Sequence, residues 1–178
     1  MEQEKFAVRA EHLTKIFRDE VTKVPVTALE NLHLSIPAGK MTALTGPDGA
    51  GKTTCLRLIC GLLSPTEGRV EVLGRNVEEK RDEVQSLLGY MPQKFGLYED
   101  LSCMENMNLY ADLHGISKEE REKRYDRLLT MTGLAPFTDR RAGQLSGGMK
   151  QKLGLACTLI RTPALLLLDE PTAGVDPL

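Results

Sequence analysis

The sequence of 178 residues predicts a single α/β domain, and three features carry this prediction. Segments that alternate apolar and polar residues, as strands do, are interspersed with segments of helical periodicity. A glycine-rich loop, TGPDGAGKTT (residues 45–54), lies between an apolar stretch and an amphipathic one. Further along, LLLLDE (residues 165–170) is typical of a strand that is buried on both faces of a parallel sheet.

The first half of the chain predicts short strands around one helix. KFAVRAEHL and LENLHLSI alternate apolar and polar residues, which predicts two antiparallel strands. IPAGK predicts a turn, and MTAL a short strand that leads into the glycine-rich loop. KTTCLRLICGLL has apolar residues at helical spacing and ends near the turn sequence SPTEG. GRVEVLG and LLGYMP predict two further strands, joined by a short charged segment.

After LLGYMP the composition changes, and the sequence predicts helices. LSCMENMNLYADLHG predicts a helix with Ser102 as its N-cap. SKEEREKRYDRLLTMTG predicts a second helix with a capping box, Ser117-x-x-Glu120, and a stop at Gly133. Within it, Glu120 and Arg124 are one turn apart and can form an ion pair.

A third helix, LSGGMKQKLGLACTLIRT, opens at Ser146 and precedes the buried strand PALLLLDEP. We expect one domain over residues 1–178. Its core, with a β subdomain, comprises residues 1–93 and 144–178, and a helical insert comprises residues 94–143.

Composition argues against several classes of protein. Hydrophobic residues make up 41% and charged residues 27%, the balance of a soluble globular protein. The net charge of -2, without long runs of one sign, gives no electrostatic footprint for a nucleic-acid partner. The apolar runs are too short to span a membrane, and the start lacks a secretory-signal pattern. Four cysteines without a CxxC pair fit a reducing cytoplasm.

The glycine-rich loop matches a phosphate-binding pattern, Gly46-x-x-x-x-Gly51-Lys52-Thr53. Glycines let backbone N–H groups surround an anion at the positive end of the following helix. Lys52 adds a charge for the β- and γ-phosphates, and Thr53 offers a hydroxyl to Mg²⁺. A glycine-rich turn that merely joins strand to helix is the weaker alternative. The predicted phosphate-binding residues are Gly46, Pro47, Asp48, Gly49, Ala50, Gly51, Lys52, Thr53 and Thr54.

Two carboxylates follow the buried strand. Ligands of α/β sheets bind at the carboxyl ends of the strands, so Asp169 is expected to hold Mg²⁺. Glu170, one residue further, is expected to act as the general base for an attacking water. The alternative is a solvated acidic turn.

A second candidate anion site is Ser146-Gly147-Gly148, where the third helix begins. Free N–H groups at a helix start can accept a γ-phosphate. In a head-to-tail pair of subunits, each nucleotide would lie between the glycine-rich loop of one chain and the Ser-Gly-Gly motif of the other. The alternative is an ordinary N-cap with glycines for close packing.

Residues 46–54, Gln93, LSGGMKQ, LLLLDEP and AGVDP, in this order, resemble the ATP-binding subunit of an ABC transporter. The stretch GYMPQKFGLYEDLSCMENMNLYADL is most similar to the bacterial exporter branch of the ABC-2, drug-efflux type. The resemblance implies a P-loop NTPase core with an N-terminal antiparallel β subdomain and an inserted α-helical subdomain. It implies ATP and Mg²⁺ as ligands, and a second ATPase domain and a transmembrane permease as partners. It also implies a cytoplasmic location on the inner face of the cell membrane, through the permease.

The same resemblance implies further residue roles. Gln93 would sense Mg²⁺ and the γ-phosphate, unless it is simply a polar residue at a strand end. Phe17 would stack on adenine, although a core phenylalanine is the alternative. Gln151 would contact nucleotide together with the Ser-Gly-Gly motif, and Asp176 would cross the dimer interface, unless it is a turn aspartate before proline.

The segment FGLYEDLS resembles the surface that receives a coupling helix of the membrane subunit. Phe95, Leu97 and Tyr98 would either form an exposed apolar docking patch or pack inside the insert.

Two departures from the family pattern stand out. Asp48 places a carboxylate in the phosphate loop, where we expect it to point outward and stabilise the turn. The family continues past GVDPL with a helix, a strand and a histidine that contacts the γ-phosphate, whereas His12, His33 and His114 all lie upstream. We therefore expect a fragment that binds ATP, hydrolyses it poorly and is marginally stable.

Three other functions stay open. A non-transport relative in translation or DNA repair would show basic surfaces or long coiled coils, which this sequence lacks. A phosphate-loop kinase would need a lid over an acceptor, for which DRRAG (residues 139–143) is the one weak candidate. The chain could also be an ATP-binding module without turnover.

Overall fold

The computed structural model describes residues 6–18 and 23–171. The chain divides into two compact units, Met1–Leu88 and Gly89–Leu178.

The first unit is built on a four-stranded sheet in which the three pairings are antiparallel, as predicted for the early strands. Val8 of the central strand lies opposite Ile36 on one side and Val72 on the other, and it is fully buried. The spatial order of the strands is β2-β1-β3-β4. Their bounds are Phe6–Arg18 (β1), Pro25–Pro37 (β2), Glu67–Val72 (β3) and Arg75–Asn76 (β4).

A bulge interrupts β1 where its register with β2 shifts between Ala10 and Leu13. His12, inside this bulge, has a φ of 50°, which side chains rarely adopt. Opposite it, Gly68 of β3 has a φ of 81°, and a Cβ there would lie 2.2 Å from the His12 carbonyl oxygen. Only glycine therefore lets β3 approach the bulge.

Two helices lie in the described part of this unit. α1 (Lys52–Ile59) follows the glycine-rich loop, as predicted, and buries Cys55, Leu58 and Ile59. α2 (Arg81–Leu87) lies within the predicted charged segment between β3 and the next strand, and its helical conformation was not predicted. Its Gln85 amide donates to the carbonyls of Cys60 and Gly61, 3.2 and 3.4 Å away, and so satisfies the end of α1. A local sequence pattern does not predict this contact, because Gln85 and Cys60 are 25 residues apart.

The prediction of a strand at MTAL is wrong. The turn in IPAGK is present at residues 38–40, but residues 41–47 adopt no regular secondary structure. Met41 is 101% exposed and Leu44 is 45% exposed. No strand among the residues that the structure describes pairs with this segment, and β propensity alone does not hold a strand without a neighbour.

As far as residue 171, the second unit combines a two-stranded sheet with three α-helices. The predicted closing strand forms, but only Leu167 of its four leucines is buried. Within the described ranges, no helix is long and apolar enough to cross a membrane. The bounds are Leu88–Met91 (β5), Cys103–Leu113 (α3), Lys118–Thr132 (α4), Gly147–Leu159 (α5) and Leu165–Leu168 (β6), with 3-10 turns at Ala135–Phe137 and Ala142–Gln144.

The helix starts follow the predicted caps with one difference. Ser102 caps α3 in a full capping box, because its hydroxyl accepts the Glu105 N–H and the Glu105 carboxylate accepts the Ser102 N–H. These bonds hold the pKa of Glu105 below its ordinary value. At α4 only half of the predicted box forms: Ser117 accepts the Glu120 N–H at 3.4 Å. One oxygen of the Glu120 carboxylate accepts the Ser117 hydroxyl at 3.5 Å, and the other lies 3.4 Å from Arg124, as the predicted ion pair.

The core of this unit lies between α3, α4 and α5. Met107, Leu134, Leu153 and Ile160 are among its largest fully buried side chains. Gly133 ends α4 in a left-handed conformation, with a φ of 69°, as predicted.

The four cysteines, Cys55, Cys60, Cys103 and Cys157, are all buried free thiols. Burial raises the pKa of Cys55 to about 11 and that of Cys157 to about 12. Burial also raises the pKa of Cys103. Thiolate is therefore scarce at neutral pH, and these cysteines act as small apolar side chains.

Truncation of Met107 to alanine should destabilise the second unit by about 3 kcal/mol, because it empties a fully buried site. Met131→Ala is the matched control, since Met131 is 56% exposed, and it should change stability by less than ~0.5 kcal/mol. Urea unfolding followed by circular dichroism measures both. Equal effects of the two variants would contradict this packing.

Candidate functional site

The glycine-rich loop has a turn whose backbone depends on glycine. The Ala50 N–H donates to the Pro47 carbonyl at 3.2 Å, and Gly51, with a φ of 86°, is the N-cap of α1. A Cβ on Gly51 would lie 2.4 Å from the Ala28 carbonyl oxygen of β2. Gly51 is thus fixed both by its conformation and by its close approach to the sheet.

Lys52 lies over this loop. Its ammonium donates to the carbonyls of Gly46 and Pro47 at 2.8 and 2.9 Å. Asp48, 3.9 Å from the ammonium, is fully exposed and points outward, as we expected. The first turn of α1 contains no acidic residue, so the positive end of the helix is not neutralised locally. An ammonium, helix N–H groups and a glycine turn form a donor set that suits phosphate oxygens.

Phe17, predicted to stack on adenine, is not a core residue. Its ring is 38% exposed at the end of β1, opposite Val26, and the Lys15 ammonium lies 5.2 Å from its centroid. Val26 is two to three residues from Ala28 and Leu29, the β2 residues that approach Gly51. This is about 7–10 Å along a strand.

In the second unit, strand pairing brings two predicted residues together. The Asp169 N–H donates to the Met91 carbonyl at 2.9 Å, just past the ends of β6 and β5. Gln93 follows β5 and Glu170 follows β6, so the two residues leave paired strands. The Gln93 amide donates to the Glu170 carboxylate at 2.7 Å. The two side chains predicted to be catalytic therefore meet.

Asp169 and Glu170 differ in setting. The Asp169 side chain is buried, and the Tyr90 hydroxyl lies 3.3 Å from its Oδ2. Glu170 is half-buried and has a φ of 49°, a strained conformation that is commonest at functional sites. Tyr90 was missed by sequence reasoning; the only signal is its alternation with buried Gly89 and Met91 along β5.

The chemistry of this set fits Mg²⁺. No group of three or more His, Cys, Asp or Glu side chains among residues 6–18 and 23–171 could hold a metal ion. Mg²⁺ prefers oxygen ligands, retains several waters and commonly takes only one or two carboxylates. Asp169, with the side-chain oxygen of Gln93, is consistent with such sparse coordination.

Ser146 caps α5: its hydroxyl accepts the Met149 N–H at 3.3 Å. The ordinary N-cap role is therefore present. Ser146 and Gly147 are also exposed, and the first turn of α5 contains no acidic residue. At the other end, Arg124 donates to the Ile160 carbonyl at 2.5 Å and places a positive charge by the negative end of the helix.

Gln151 lies on α5 five residues after Ser146. Its amide donates to the Gln93 carbonyl at 3.4 Å, so the predicted γ-phosphate sensor touches the helix that carries the Ser-Gly-Gly motif. Asp176, the remaining predicted site residue, lies outside the described residues.

The three residues proposed for a docking patch differ in burial. Phe95 and Leu97 are half-buried and pack against the helical core, so the packing alternative holds for both. Tyr98 is 56% exposed.

Comparison with known proteins identifies the family. A family model described as ABC transporter matches residues 29–173. The chain belongs to this family. Within it, the chain is an ABC-type ATPase domain, and the phosphate-loop kinase reading is set aside.

Among curated ABC proteins, the chain is 57% identical over 151 residues to the probable multidrug ABC transporter ATP-binding protein YbhF of Escherichia coli. The match covers 85% of this chain and 26% of that protein, so the chain spans about a quarter of the relative's length.

Two solved structures of the ABC cassette MJ0796 are similar, one described as dimeric and the other as a post-hydrolysis state bound to ADP and Pi. Both have a TM-score of 0.83, at 31% and 32% identity, and both matches cover 95% of this chain and 76% of the other. The predicted α/β P-loop cassette fold, with its antiparallel β subdomain and helices, is confirmed.

Gly51→Ala should destabilise the first unit by about 2 kcal/mol, because alanine pays for the positive φ and meets the Ala28 carbonyl. Gly46→Ala should cost less than about 1 kcal/mol, since its Cβ would lie 3.4 Å from the Ala50 Cβ, an ordinary contact. Thermal unfolding without nucleotide compares the two. A Gly51→Ala protein as stable as Gly46→Ala would refute the loop geometry.

Proposed function

We propose that this chain binds Mg-ATP as the ATP-binding part of an exporter and drives transport through a partner permease. The observation that carries the proposal is the Lys52 ammonium, held over the loop by the carbonyls of Gly46 and Pro47. The fully exposed Asp48 carboxylate lies 3.9 Å from this ammonium, and the first turn of α1 adds no acidic residue. A triphosphate would replace the two carbonyls as the partner of this charge, and charge-assisted bonds to phosphate are the stronger ones.

The phosphate loop, residues 46–54, then holds the β- and γ-phosphates, with N–H groups at the start of α1 around them. Phe17 stacks on the adenine, which its exposed ring supports.

Asp169, Gln93 and Thr53 are the residues that would hold Mg²⁺, and the ion would supply charge neutralisation on the phosphate oxygens. Glu170 would take a proton from the attacking water. The Gln93 amide donates to one Glu170 oxygen at 2.7 Å, which orients the carboxylate and leaves its other oxygen able to accept that proton.

A second copy or a fused second ATPase domain completes the assembly. Its Ser146-Gly147-Gly148 tip, with Gln151 and Asp176, closes over the nucleotide of the first. The exposed start of α5 and the dimeric cassette among the similar structures support this arrangement. The multidrug relative supports export, and the permease would keep the domain at the cytoplasmic face of the membrane.

Lys52→Ala should weaken Mg-ATP binding about tenfold to a hundredfold, because one charge-assisted contact is worth ~1.5–3 kcal/mol. Lys40→Ala is the control, since Lys40 is an exposed lysine in the turn before the loop. Isothermal titration calorimetry measures both. Equal affinity of the Lys52 variant and the wild type would overturn the proposed function.

Glu170→Gln should leave Mg-ATP affinity within about threefold and abolish whatever slow phosphate release the chain shows, because glutamine cannot accept the proton. Glu122→Gln, on the exposed face of α4, is the matched control. Phosphate release measured at saturating Mg-ATP decides; release by the Glu170 variant at the wild-type rate would exclude this general base.

A further inference from the structure

The connection from Gln93 to α3, residues 93–102, makes several contacts that the proposed function does not use. We call it the bridging segment. Asn106 of α3 fixes one end of it: the buried Asn106 side chain bonds the backbone of Tyr98, Leu101 and Ser102 at 2.9–3.2 Å. This end is therefore rigidly attached to the helical core.

The ring of Phe95 packs on Gly154 of α5, and this contact, which we call the aromatic seat, attaches the middle of the bridging segment to α5. A Cβ on Gly154 of α5 would lie 2.9 Å from Cγ of Phe95, so the missing side chain makes room for the ring. Tyr110 packs against that ring, with centroids 5.2 Å apart, and its hydroxyl donates to the Gly96 carbonyl at 2.9 Å.

An ion pair makes a second attachment to α5. The Lys150 ammonium lies 2.7 Å from the Glu99 carboxylate. The Glu99 carbonyl accepts the Gly143 N–H at 2.9 Å, just before the Ser-Gly-Gly motif. Lys150 is four residues from Ser146, about 6 Å along a helix.

We propose that Glu99 and Lys150 are positioning residues, whose ion pair, with the seat of Phe95 on Gly154, makes the bridging segment move as one body with α5. An anion that binds at the exposed start of α5 then sets the position of Gln93. The inference rests on the proposed function, which supplies that anion as the γ-phosphate of the Mg-ATP held by a second copy of the chain.

The attachment itself can be tested without nucleotide. Glu99→Gln and Lys150→Gln should speed hydrogen exchange of the Gly143 amide about threefold, the effect of losing a partly exposed ion pair. Asp112→Asn is the matched control: it breaks the ion pair with Arg121, and its carboxylate is as exposed as that of Glu99, 66% in both. Unchanged exchange at Gly143 in both test variants would overturn the ion-pair attachment.

The coupling is tested with Mg²⁺ and a non-hydrolysable ATP analogue. In the wild type, bound analogue should slow exchange of the amides of residues 94–101. Lys150→Glu should lose this protection while analogue affinity, by calorimetry, stays within about threefold. The double variant Glu99→Lys/Lys150→Glu should regain it. Sedimentation velocity identifies the conditions in which the analogue-bound chain is a dimer. In that dimer, absence of protection in the wild type, or no recovery in the double variant, would overturn the coupling.

Gly154→Ala gives an independent check on the aromatic seat. The added methyl group should displace Phe95 and speed exchange of residues 94–97, while helix content stays intact because alanine favours helices. If residues 94–97 exchange at the wild-type rate in Gly154→Ala, the contact between Phe95 and Gly154 does not attach the bridging segment to α5. If the wild type fails to bind the analogue, the proposed function fails, and the Gly143 measurement still decides the attachment.

Discussion

The hydrogen bond from the Asp169 N–H to the Met91 carbonyl, 2.9 Å long, is the interaction on which the second unit's site depends. It extends the pairing of β5 and β6 beyond their last strand residues. As a result, Gln93 and Glu170 leave the sheet side by side and are within 2.7 Å of each other. Without that pairing, two residues 77 positions apart would have no reason to meet.

Each unit positions its functional residues by a close backbone approach. In the first, Gly51 touches the Ala28 carbonyl region of β2, which orients the start of α1 and with it Lys52. In the second, Gly154 admits the ring of Phe95 against α5. Both glycines remove a side chain where backbone or ring must come near, so each fixes geometry through van der Waals contact rather than through polar bonds.

The sequence was informative where structure is local. Caps at Ser102 and Ser146, the stop at Gly133 and the alternation of β1 and β2 depend on neighbours within a few residues, and all are confirmed. Pattern reasoning failed where partners are distant. It missed α2, which Gln85 ties to the end of α1, and it made a strand of MTAL, which has no partner strand in the described part of the chain.

For the candidate site, residue types and order predicted which side chains matter, and the meeting of Gln93 with Glu170 agrees with that prediction. Tyr90 and the Glu99–Lys150 pair could not be predicted, because nothing in a single sequence relates a lysine to a glutamate 51 positions away.

The left-handed backbone of Glu170, with a φ of 49°, has a consequence for protein engineering. A non-glycine residue held there costs on the order of 1–3 kcal/mol, which glycine would recover while removing the carboxylate. Under the proposed role of Glu170 as general base, a search for thermally tolerant variants would therefore select against turnover at this position.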